Sequence, residues 1–121
     1  MILDSTLIRL EAVLAGAADP APVSHVWYRV YTNDGTITKP ALYRVALNGA
    51  TDVVILPAPS LTGEVREVLG ASWYNADNAS ITLTIKTDDG TTERTILNRV
   101  LLTLQTLHYS INNGWYITTN S

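Results

Sequence analysis

Two histidines, eleven acidic and eight basic residues are the raw material for chemistry in this chain of 121 residues. Their spacing matches no known catalytic order. His25 and His108 are far apart in sequence, and neither has neighbouring ligands of the kind a zinc ion requires, three or four nitrogen, sulfur or oxygen donors. With no cysteine there is neither thiolate chemistry nor a disulfide. Asp34, Asp77, Asp88 and Asp89 fall in turn-like stretches, where an aspartate bonds nearby backbone amides and needs no ligand to explain it. The spaced carboxylates of a calcium loop are missing. A glycosidase needs two opposed carboxylates, and nothing in the sequence opposes any two of these. Nucleophile elbow, phosphate loop and dinucleotide fingerprint are all lacking. The expectation is a protein that is not an enzyme and uses no cofactor or metal.

The aromatic residues are more suggestive. Each tryptophan precedes a tyrosine: Trp27-Tyr28, Trp73-Tyr74 and Trp115-Tyr116. On a strand, neighbouring side chains point to opposite faces, so one ring of each pair enters a core while the other stands outside. This reading puts the tryptophans inside. It leaves Tyr28, Tyr74 and Tyr116 as outward rings, placed either at subunit contacts or as a stacking surface for sugars.

The elements that would carry these rings are strands. Ile81, Leu83 and Ile85 alternate with Thr82, Thr84 and Lys86, giving one dry and one wet face, and Asp88-Asp89-Gly90 ends the run with a hairpin signal. His25–Tyr31 is rich in β-branched and aromatic residues and stops at Asn33-Asp34-Gly35. A further strand begins at Thr36–Pro40, where Pro40 argues for an edge or a bulge, and continues from Leu42 to Leu47 before Asn48-Gly49. Asp52–Leu56 is an apolar run suited to a strand covered on both faces. Glu64–Tyr74 reads as a long strand with Leu69, Ala71 and Trp73 on one face. Thr91–Leu97, Val100–Tyr109 and Trp115–Thr118 complete the series. The segment Thr6–Ala15 is ambiguous. Leu3, Leu7, Leu10 and Leu14 have helical spacing, whereas Ile8, Leu10, Ala12 and Leu14 alternate as a strand would; taken alone it slightly favours a short helix. Ala17–Pro22 is a proline-containing connector. Eight or nine short strands imply an all-β antiparallel sandwich, with a jelly roll as one variant, in a single domain spanning residues 1–121.

Composition limits the partners. The net charge is −3, and the basic residues are scattered rather than gathered into a stripe that would hold phosphates, so nucleic acid is not expected. The opening residues lack the form of a secretory signal, and no apolar stretch approaches the roughly 20 residues that span a bilayer, so the expectation is a soluble chain made in the cytoplasm, with no membrane partner. Charged residues make up only 16% of the chain. Neither Leu101–Tyr109 nor Trp115–Thr118 contains a charge, and an uncharged strand of this kind belongs either inside a domain or against another subunit.

Pro57–Pro59, Arg66–Val68, Trp73–Asp77, Ile81–Ile85, Asp88–Thr92, Thr106–Tyr109 and Gly114-Trp115 together resemble small virion structural proteins of tailed bacteriophages. Leu7–Gly16 resembles the first strand of those proteins, which favours β there. The resemblance runs from about Leu7 to Trp115 and consists of strand and turn patterning. Where such proteins commonly carry a glycine before the Thr106–Tyr109 stretch, this chain has Leu104, which argues against the bend a glycine would make. The resemblance implies a non-enzymatic building block of a virion, present in many copies. Its expected place is as capsid decoration or head spike, at the head–tail joint or in the tail. The expected partners are its own copies, a trimer by analogy, and major capsid or tail proteins. The alternative is a carbohydrate-binding module using Tyr28, Tyr74 or Tyr116.

Overall fold

The computed structural model describes residues 1–120. All regular elements among them are strands: β1 (Ile2–Leu3), β2 (Arg9–Leu14), β3 (Val23–Tyr31), β4 (Ala41–Ala46), β5 (Val53–Leu56), β6 (Val65–Tyr74), β7 (Ile81–Asp88), β8 (Glu93–Leu101), β9 (Gln105–Ser110) and β10 (Gly114–Thr119). They form two antiparallel sheets packed face to face. The larger has the order β10-β9-β6-β3-β4, with β1 added against β6; the smaller has the order β5-β2-β7-β8. The fold is a β-sandwich.

The core lies where alternation predicts. Leu10, Ala12 and Leu14 of β2 and Ile81, Leu83 and Ile85 of β7 face Val26, Val68, Ala71, Trp73 and Leu107 of the larger sheet, all buried. The ambiguous first segment is a strand. Its period-two residues outweigh its helical spacing because β5 and β7 pair with it on either side.

Ten strands replace the eight or nine expected, because the first segment is a strand and a further short one precedes it. Ile2 and Leu3 form a short strand on Glu67 and Arg66. The boundary expected between Leu97 and Val100 is absent: β8 runs on to Leu101, and the chain turns at Leu102–Leu104 before β9. Leu104 makes the bend itself, with a φ of 65°, in the left-handed region that its side chain disfavours. Neighbouring hydrogen bonds hold it there: its N–H donates to the Asn75 carbonyl, and its carbonyl accepts from Asn120. Asn75 is fully buried and joins three elements, its side chain donating to the carbonyls of Ala79 and Leu101 while the Gln105 carbonyl accepts from its backbone.

Two other expectations fail at β-bulges. Trp27 pairs with Gly70 and Tyr28 with Val68, so Leu69 is an extra residue in β6. The bulge shifts the phase: Val68, not Leu69, shares the inner face with Ala71 and Trp73. In β5, Leu56 pairs with Leu10 and Val54 with Glu11, leaving Ile55 as the extra residue. Consecutive Ile55 and Leu56 are therefore both buried although β5 is an edge strand and not a central one. Pro40 immediately precedes β4, which is an edge, as the proline predicts.

Candidate functional site

The outer face of the larger sheet collects most of the polar aromatic residues. Cross-strand register places Arg44, His25, Ser72, His108 and Tyr116 in one row across β4, β3, β6, β9 and β10. The adjacent row is Leu42, Trp27, Gly70, Ser110 and Gly114. Rings stack along the strands or between neighbours at both ends of these rows. The His25 and Trp27 rings are 6.0 Å apart and 19° from parallel. Those of His108 and Tyr116 are 4.8 Å apart and 11° from parallel. Between the two stacks the floor consists of the small residues Gly70, Ser72 and Ser110.

One end of this face deepens into a cavity of ≈ 350 Å³, walled by the connector Pro20–Val23 and by Ala76, and floored by His25, Arg44, Ser72 and Tyr74. No carboxylate lines it. Among the described residues, no ion pair engages Arg44, and no side-chain hydrogen bond engages His25, Arg44, Ser72 or Tyr74.

The three Trp-Tyr pairs do not all orient alike. Trp73 is fully buried, and Trp115 packs against the core beside it at 6.0 Å between ring centroids. The first pair is reversed: Trp27 is exposed, whereas Tyr28 packs on the core beneath the Arg66 guanidinium. The cause is register. Ser24 and Val26 face inward in β3, and unbroken alternation from them carries Tyr28 in and Trp27 out. Tyr74 and Tyr116 lie on the outer face in different rows. The three tyrosines therefore do not form one surface, and Trp27 takes the outward place read for Tyr28.

A second cluster lies on the opposite outer face, that of the smaller sheet. Carboxylate oxygens of Glu11, Asp52 and Glu93 lie within 4.8 Å of one another. The Lys86 ammonium sits 2.8 Å from Asp52 and 3.0 Å from Glu93, and Arg9 bridges Glu11 at 2.7 Å and Asp88 at 3.0 Å. Burial pulls the Lys86 ammonium down, but its bonds to Asp52 and Glu93 outweigh that and hold it above the usual lysine value; the bond from Lys86 in turn holds Asp52 below the usual carboxylate range. Lys86 thus supplies the positive charge that a divalent cation would bring to these oxygens.

The third feature is the free side of β10. This strand pairs only with β9 and forms one border of the larger sheet. Asn120 donates its N–H inward to Leu104. By the alternation of an antiparallel ladder, the backbone groups of Trp115, Ile117 and Thr119 point outward, away from β9. The other three main borders are guarded, and β1, which pairs only with β6, has 2 residues. Lys39 and Pro40 precede β4, which also carries Arg44; β5 has only 4 residues. On β8 stand Glu93, Arg94 and Arg99, and Ile96 forms a bulge, since Ile85 pairs with Leu97 and Lys86 with Thr95. On β10 there is no charge, proline or bulge.

Sequence reasoning singled out the uncharged β10 segment and Tyr74 but missed Arg44, Ser72 and Trp27 as members of one face. Only the pairing register, set partly by the β6 bulge, brings them together. No family model, curated protein or solved structure matches this chain.

Proposed function

We propose that this chain is a non-enzymatic structural protein of a tailed-bacteriophage virion, present in many copies, either as capsid decoration or head spike or as a head–tail or tail component. The observation that carries the reading is the unguarded β10 border. An exposed row of backbone donors and acceptors recruits another strand unless charge, proline, a bulge or shortness prevents it. Three borders of this sandwich use those devices and the fourth does not, which suits a fourth border that is covered in the working assembly. Two β10 strands meeting antiparallel bring no like charges together. The exposed ring of Tyr116, on β10 itself, adds apolar area that a neighbouring copy or shell would cover. The resemblance of the strand and turn pattern to small virion proteins supplies the context. A subunit that binds only the assembled shell stabilises that shell by mass action.

Analytical ultracentrifugation of the purified chain, together with co-sedimentation on empty phage capsids, tests this. Homo-oligomers or capsid-bound protein are the expected result. A strict monomer with no affinity for particles overturns the proposal.

A further inference from the structure

We propose that the cavity on the outer face of the larger sheet binds the carboxylate of an acidic monosaccharide, such as a uronic or sialic acid unit. This inference does not rest on the assembly proposed above.

The chemistry of the cavity walls selects that class of ligand. At ≈ 350 Å³ the space is near the lower end of small-molecule sites, enough for a single sugar ring and too small for a large cofactor. Arg44 is its only charged residue that stays cationic at every ordinary pH, and no carboxylate of the lining neutralises it. A guanidinium presents a planar fork of donors that matches a carboxylate, and the imidazole of His25, paired directly opposite Arg44 across β3 and β4, supplies a second polar group. The hydroxyls of Ser72 and Tyr74, both without a partner among the described residues, are placed to bond ring hydroxyls. The rings of Pro20, Pro22 and Tyr74 give flat apolar walls for the C–H face of a pyranose. At the rim, Trp27 stacks on His25 and leaves its own ring exposed, a platform for a second sugar unit of a longer chain. A neutral sugar would leave Arg44 unanswered, and acetate would leave the walls uncovered.

Saturation-transfer NMR titrations of the full chain with glucuronic acid, N-acetylneuraminic acid, glucose and acetate provide the test. At least one of the two acids should saturate in the millimolar range or below, with glucose and acetate each at least tenfold weaker. Arg44→Met should weaken binding of the acid at least tenfold, while the far-ultraviolet circular dichroism of this exposed-edge variant stays unchanged. Trp27→Phe keeps single-ring binding and weakens binding of an acidic disaccharide. If neither acid binds, if glucose binds as well as the acids, or if a folded Arg44→Met variant binds undiminished, the assignment is overturned. A monomeric, capsid-inert protein that binds the acid would refute the assembly reading and leave this one standing.

Discussion

At the scale of single residues, Leu104 shows how tertiary bonds override local preference. A left-handed conformation costs a non-glycine residue roughly 1–2 kcal/mol, and β-branched side chains fare worse still. Leu104 is 42% exposed, so its side chain recovers only part of that cost by packing. Leu104→Gly should raise stability by about 0.5 kcal/mol, the relief of strain slightly exceeding the extra freedom glycine gains on unfolding, whereas Leu104→Ile should lose about 1 kcal/mol. Urea denaturation should therefore rank Gly above Leu above Ile; the reverse order would show that the bend is unstrained. Asp34 offers a second test at this scale. Hydrogen bonds from the Thr32 hydroxyl and then from Thr36 hold its carboxyl at about 2, below its ordinary 3.8. Its folded value is depressed, so its contribution to the β3–β4 connection is complete above about 3.8 and disappears as the pH falls through about 2. Thermal melts from pH 6 to pH 2 should show Asp34→Asn losing less stability on acidification than the parent chain.

At the scale of elements, the sequence was most legible where alternation is unbroken. Ile81, Leu83 and Ile85 are buried as their spacing predicts, and the strand ends at the Asp88-Asp89-Gly90 signal to within a residue. It was least legible at bulges. Leu69, Ile55 and Ile96 each insert one residue and so exchange the faces of everything beyond them, and nothing in their local composition announces it. The cavity residues were illegible for the same reason, since His25, Ser72 and Arg44 meet only through register across three strands. The Lys86 cluster likewise depends on pairing. Glu11 is 4% exposed; one of its oxygens accepts from Arg9, and the other has no hydrogen-bond partner among the described residues. With Lys86 removed, the carboxylates of Glu11, Asp52 and Glu93 would face one another without their central cation. Lys86→Ala should cost about 1 kcal/mol near pH 7, because the ammonium is buried but its partners Asp52 and Glu93 are open to solvent, which screens the pairs. The pH response should follow Asp52, whose carboxyl the Lys86 bond holds below its usual range: in the parent that contribution is complete above about 3.8 and is lost as the pH falls through the depressed value, so acidification to pH 3 should narrow the variant's deficit. Chemical denaturation at pH 7 and pH 3 measures both; a deficit that does not narrow at pH 3 would show that Lys86 acts by packing its stem rather than by its charge.

For the whole molecule, the distribution of guarding devices over the four sheet borders decides what the sandwich can join. A monomer gains nothing from leaving one border bare, because unpaired backbone groups along an uncharged strand expose it to indiscriminate pairing. The bare border is also where a proline is least harmful to the fold. Thr119 directs its N–H away from β9, so Thr119→Pro deletes an outward donor without breaking a bond of the β9–β10 ladder. The variant should therefore keep its fold and lose its self-association. Thr95→Pro on the charged and bulged β8 border, where association is already blocked, should leave the oligomer intact if the variant folds. Sedimentation velocity of the parent and both variants over a concentration series separates the mechanisms. If Thr119→Pro remains as oligomeric as the parent, subunits join through the aromatic outer face of the larger sheet rather than through its edge. Substituting Lys for the exposed Tyr116 would then disrupt assembly, because the added charge would be buried without a partner at the center of that contact.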